Sequence, residues 1–195
     1  MRKRHPTATV FDEEDEASSG PPYQVFTTEK TVKTFDVYLS AHADEPSVYD
    51  PLCHLLRQAS EEDSVRLFLN TPGGSLFAGA ALIHAMRESA ATITTILHPA
   101  AYSMGALIFL CGDEVEVPPT AHLMFHHYSD ELKGKGNELL AEVTASVTWY
   151  ERLLRDTSTG FLTETEIRDL LQGKDLWLHS DEILARMENL RRADA

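Results

Sequence analysis

Two tight turns, set about a helix length apart, constrain the fold of this chain more than any other feature. Asn70-Thr71-Pro72-Gly73-Gly74-Ser75 follows the apolar run Val65 to Leu69. Pro99-Ala100-Ala101-Tyr102-Ser103-Met104-Gly105-Ala106 follows the β-branched run Thr92 to Leu97. Each reads as a strand that ends and turns at once into a helix, and strands alternating with helices imply parallel βαβ units. In the first turn, two glycines let backbone N–H groups approach a ligand closely. In the second, a lone serine with small neighbours opens an apolar helix, where the helix dipole favours negative charge.

Together the turns suggest an oxyanion pocket beside a nucleophile. A serine needs a base to take its proton, and the base needs an orienting carboxylate. Ser103 is the candidate nucleophile; the plainer reading is a helix N-cap that happens to be serine. The strand Leu123-Met124-Phe125 runs into His126 and His127, and neighbours on a strand point to opposite faces, so one of the two can face Ser103. His122 and His126 would share a strand face but lie about 13 Å apart, too far to hold one ion. No metal and no cofactor are expected.

The remaining pattern fills in an α/β domain. Thr34 to Leu39 and Thr92 to Leu97 read as strands, and Val48 to Ala59 as a helix. Ser75 caps a helix over Leu76 to Arg87, and Ser103 to Leu110 is apolar all round, hence buried. Asn137 opens a long amphipathic helix with Leu139, Val143, Val147, Tyr150 and Leu154. Thr163 and Glu166 form a capping box, with Leu162 and Ile167 as its hydrophobic staple, and Gly173 stops that helix. A last helix begins near Ser180.

The chain has 195 residues and a net charge of −14. That length suits one domain, and the charge argues against nucleic acid as a partner. No apolar run reaches the length of a membrane span, and no apolar stretch follows the basic Met1 to Pro6, so no secretory leader is expected. No phosphate loop of the Walker type is present. Cys53 and Cys111 sit in apolar contexts and read as small buried hydrophobes in a reducing, cytoplasmic compartment. Residues 1–28 are acidic and poor in apolar side chains; they read as a mobile tail, with a gate or docking arm as the sharper alternative.

These motifs, in this order, resemble the Clp protease proteolytic subunit. The resemblance rests on Leu69 to Ser75 with Ala78-Gly79, on Ala101 to Ala106, and on Leu123 to His126. It implies a crotonase-like superhelix of ββα units with a protruding handle helix over residues 137–156, within a peptidase domain over 29–195. It implies Ser103 as nucleophile, His126 as base, and the amides of Gly74 and Met104 as oxyanion donors, with Gly73 and Ser75 along the substrate. The family's acid lies two residues before an aromatic-Leu-Ser helix start. Asp175 fits that place before Trp177-Leu178, with Asp156 as the alternative. Choosing Asp175 makes residues 157–173 an inserted helical hairpin. Tyr102 is bulkier than the small residue usual before the serine.

The resemblance further implies peptides or unfolded proteins as substrate, a heptameric ring or a pair of rings, and an AAA+ unfoldase or a paralogue as partner. Two other readings compete. One is a catalytically weak or inactive ring subunit, acting by assembly. The other is an acyl-CoA enzyme of the crotonase type, whose anionic ligand would prefer a basic rim to this acidic chain.

Overall fold

A computed structural model of the chain describes residues 26–40 and 45–193. The expected tail or gate, residues 1–28, lies outside that set except for its last three residues. Residues 26–31 have no regular structure.

The described residues alternate as the sequence predicts. Strand β1 (Thr34–Leu39) leads through a 3-10 turn, Pro46–Tyr49, into helix α1 (Asp50–Gln58). Then come β2 (Ser64–Thr71), α2 (Leu76–Glu88), β3 (Thr92–Tyr102) and α3 (Met104–Phe109). The chain continues through β4 (Glu114–Glu116), β5 (His122–Phe125), α4 (Gly136–Ser158), α5 (Glu164–Leu171), β6 (Leu176–His179) and α6 (Ser180–Ala193). The sheet order is β1-β2-β3-β5-β6, with β4 also paired to β3. All pairs are parallel except β5 with β6, which run antiparallel.

The alternation of β2 shows how the sheet packs. Val65, Leu67 and Leu69 are fully buried, whereas Arg66 is exposed. One sheet face therefore meets the core, with Leu82 and Ile83 of α2 and all six residues of α3 buried in it. The other face carries an Arg66–Asp36 ion pair and a Tyr38–Phe68 ring stack.

Local signals formed as expected. The Ser75 hydroxyl accepts from the Ala78 amide at 3.4 Å. Thr163 and Glu166 close the capping box, and beyond α5 Gly173 takes a φ of +87°. There Gly173 and Lys174 donate to the Leu170 and Asp169 carbonyls, which satisfies the last turn as glycine-capped helices do. Cys53 is buried and Cys111 half-buried, both as free thiols, and burial pushes the Cys111 thiol up to about 11.

Residues 157–173 hold the end of α4, a turn through Gly160 at φ +87°, and helix α5. The short strands β4 and β6 add to the expected set.

Glu166 also receives Arg186 from α6 in a two-pronged pair at 2.9 and 2.6 Å. The same guanidinium donates to the Phe161 carbonyl at 3.0 Å. The Arg186 pair, with the Thr163 amide and hydroxyl, holds the Glu166 carboxyl down to about 2 despite burial, against an ordinary 4.5. Its contribution is complete above the unfolded value and is lost as pH falls from about 4.5 to about 2. Glu166→Gln should lower stability at pH 7 by about 1–3 kcal/mol. It should also flatten that acid limb of the urea midpoint relative to the parent; an unchanged limb would mean the pair is not formed in solution.

Candidate functional site

The two turns that dominate the sequence meet in space. Strand β2 pairs Thr71 with Ala101 after a register shift, so the ends of β2 and β3 lie side by side. Gly73 and Gly74 follow with φ of +104° and +140°, values that favour glycine. The Gly73 amide donates to the buried Thr71 hydroxyl at 3.1 Å, which fixes the turn. A Cβ on Gly73 would lie 2.8 Å from the Tyr102 carbonyl oxygen and 2.9 Å from the Ser103 Cβ.

Ser103 caps α3 at φ +53° and ψ −124°, and it is the non-glycine residue with positive φ among the described residues. Such a backbone is strained and costs on the order of 1–3 kcal/mol. It is the geometry of a sharp strand-to-helix turn that exposes a hydroxyl. The Ser103 amide donates to the Met124 carbonyl at 2.8 Å, which ties this residue to β5. Met104 is the first residue of α3, and the first amides of a helix have no acceptor within it.

A cleft of about 530 Å³ opens over this corner. Its lining includes Gly74, Ser75, Ser103, Met104 and His126. Gly73 lies instead against a narrow recess beside Thr71 and Gly105. His126 follows directly on the end of β5, and the Tyr150 hydroxyl of α4 donates to its carbonyl at 2.6 Å. Burial pushes that hydroxyl up to about 12. Tyr150 reads in the sequence as an apolar helix position; its phenol oxygen was the signal for a polar task. His127 turns elsewhere, packed on Tyr128 and Tyr150 with Nδ1 3.1 Å from the Tyr128 carbonyl. His122 belongs to a separate ring cluster with Trp177 and His179.

The antiparallel ladder of β5 and β6 ends with Phe125 opposite Leu176. Beyond this last pair, His126 follows β5 and Asp175 precedes β6. Asp175 is exposed, and the neighbouring Lys174 pairs with Asp169 at 2.9 Å. Asp156 lies outside the cleft lining and is held by Arg87 at 2.6 Å. Among the described residues, no hydrogen bond joins Ser103, His126 and Asp175 to one another. Tyr102 does not crowd the serine: its ring packs against His122 and Trp177. A stacked pair, Phe77 of α2 and Trp149 of α4, borders the cleft at a ring separation of 5.2 Å.

Chemically, the corner offers a hydroxyl on a strained turn, amides from a glycine turn and a helix start, and an imidazole. Residues 24–188 match the family model described as Clp protease. The chain is 31% identical over 87 residues to the ATP-dependent Clp protease proteolytic subunit of Deinococcus radiodurans, covering 44% of this chain and 43% of that protein. It is 30% identical over 118 residues to the ATP-dependent Clp protease proteolytic subunit 3, chloroplastic, of Arabidopsis thaliana, covering 58% of this chain and 38% of that protein. Neither match spans half the length of the relative.

The glycine turn yields a direct test. Gly73→Ala should destabilise the fold by about 1–3 kcal/mol, since a side chain there is strained in φ and meets backbone. A urea midpoint equal to the parent's would mean that the turn does not press against Ser103 in solution.

Proposed function

We propose that this chain, which belongs to the Clp protease family, is a serine endopeptidase acting on extended peptide segments at the Ser103 cleft. The observation that carries the reading is Ser103 at positive φ, heading a buried helix and sharing one cleft with Gly74, Met104 and His126. In this reading the Ser103 Oγ attacks the scissile carbonyl carbon while His126 takes its proton. The amides of Gly74 and Met104 donate to the developing oxyanion. The carbon–nitrogen bond then breaks, and His126 gives its proton to the leaving amine. Water repeats the sequence on the acyl-serine and releases the second product. Asp175 orients the imidazole and stabilises its protonated form. Backbone along Gly73 to Ser75 supplies hydrogen bonds to an extended substrate.

The assembly we propose is a homo-oligomeric ring, or two stacked rings, served by an AAA+ unfoldase or a paralogous subunit in the cytoplasm. The first half of α4 supports it. Leu140 is 70% exposed and Val143 is also exposed, an apolar face with no packing role in a lone chain. Among the described residues no helix is long and apolar enough to cross a membrane.

A second reading, a catalytically inactive ring subunit, is favoured by the lack of hydrogen bonds joining Ser103, His126 and Asp175. Labelling with a fluorophosphonate, mapped by peptide mass spectrometry, separates the two. The peptidase reading expects an adduct on Ser103, none in Ser103→Ala, and acylation slowed on the order of 10³–10⁴-fold in Asp175→Asn. Asp156→Asn should label at the parent rate. No adduct on Ser103 would favour the inactive subunit.

A further inference from the structure

The outer sheet face beside the site carries four rings that the chemistry above does not use. The Tyr102 hydroxyl lies 3.1 Å from His122 Nδ1. Tyr102 meets Trp177 edge-on at 5.4 Å between ring centres. His122 stacks on Trp177 at 5.4 Å and on His179 at 4.6 Å. Tyr102 comes from β3, His122 from β5, and Trp177 and His179 from β6. Each of the three strands therefore holds the other two.

These are the strands whose ends bear the candidate triad. Tyr102 immediately precedes Ser103. His122 lies four residues before His126. Trp177 lies two residues after Asp175. The backbone ladders between them are short. β3 and β5 share three pairs, Ala100 to Tyr102 with His122 to Met124. β5 and β6 share four, from His122 opposite His179 to Phe125 opposite Leu176. A slip of one residue in either ladder would send each side chain to the other face, which core burial opposes. Core burial secures alternate positions only, through Leu123, Phe125 and Leu178. The four rings secure the opposite face, although Trp177 is 48% exposed and gains little from burial itself. Cross-strand ring pairs of this kind stabilise the pairing of the strands that carry them.

We infer that Tyr102, His122, Trp177 and His179 form a clasp that sets the mutual register of β3, β5 and β6, and so positions Asp175 relative to His126 and Ser103. The inference rests on the peptidase reading and adds positioning residues to it. It also gives Tyr102, bulky where the family has a small residue, a task on the face away from the serine.

The test is the rate of Ser103 acylation by a fluorophosphonate in the full chain. Trp177→Ala should slow it about 10- to 100-fold, the scale of a small misplacement of catalytic groups. Trp177→Phe, which keeps a ring, should restore most of the rate. In an Asp175→Asn background, followed over long incubation, Trp177→Ala should change the rate less than about threefold, because the group it positions is already lost. An equal loss in both backgrounds would reduce the cluster to support of the fold and overturn the inference. So would parent-like labelling of Trp177→Ala. Should Trp177→Ala lose its circular-dichroism signature, Tyr102→Phe, which deletes one hydroxyl, carries the same comparison. A parent chain that takes no label at Ser103 overturns the peptidase reading and this inference with it, an outcome distinct from a labelled parent with an indifferent clasp.

Discussion

The close approach of the Gly73–Gly74 turn to the Tyr102–Ser103–Met104 backbone is the contact on which the rest of the structure depends. It requires β2 and β3 to end at the same level, and the register shift between Leu69 and Thr71 achieves this. It requires Thr71 to be buried, with its hydroxyl accepting from Gly73 and its methyl facing Gly105. It also brings the Met104 side chain against Gly79 of α2. Small residues at 73, 79 and 105 are therefore packing requirements. A Cβ at 73 would meet the Tyr102–Met104 backbone, one at 105 the Thr71 methyl, and one at 79 the Met104 side chain.

A serine held at positive φ must be opposed by something stiff. The eleven-residue strand β3 supplies that stiffness, with β2 on one side and β4 and β5 on the other. Both ends of α3 are tied to neighbouring strands. At its start the Ser103 amide reaches Met124, and at its end the Phe109 carbonyl accepts from the buried Thr95 hydroxyl at 2.8 Å. The helix cannot drift to relieve Ser103, because its six residues are all buried. Strain here is a consequence of core packing, and its effect is to hold one hydroxyl over a cleft.

What could be read in the sequence was local. The Ser75 cap, the Thr163–Glu166 box and the apolar period of α3 depend on neighbours a few residues away, and each formed. Strands β4 and β6 were hidden because Glu114-Val115-Glu116 and Leu176-Trp177-Leu178-His179 are too short to show a period. The choice between His126 and His127 hung on where β5 stops, since alternation ends at Phe125. The antiparallel register that carries β6, and Asp175 just before it, alongside β5 is encoded by no local pattern. The bulk of Tyr102 could be read from the sequence; the direction of its ring, toward His122 and Trp177, could not.

The molecule also leaves surfaces that a lone chain has no reason to leave. Parallel sheets are usually covered on both faces, yet here the outer face shows Tyr38 at 60% exposure, stacked on Phe68. Helix α4 is divided along its length. Its second half buries Tyr150, Leu153 and Leu154, and Ser146, Trp149 and Tyr150 wall the cleft. Its first half presents Leu140 and Val143 to solvent. Because Tyr150 holds the His126 carbonyl, the helix that offers the apolar face also sets where the candidate base begins. The exposed first half and the Tyr150 bond to His126 lie on one continuous helix of 23 residues. In the assembly we propose, contact between subunits and placement of the base therefore share one structural element.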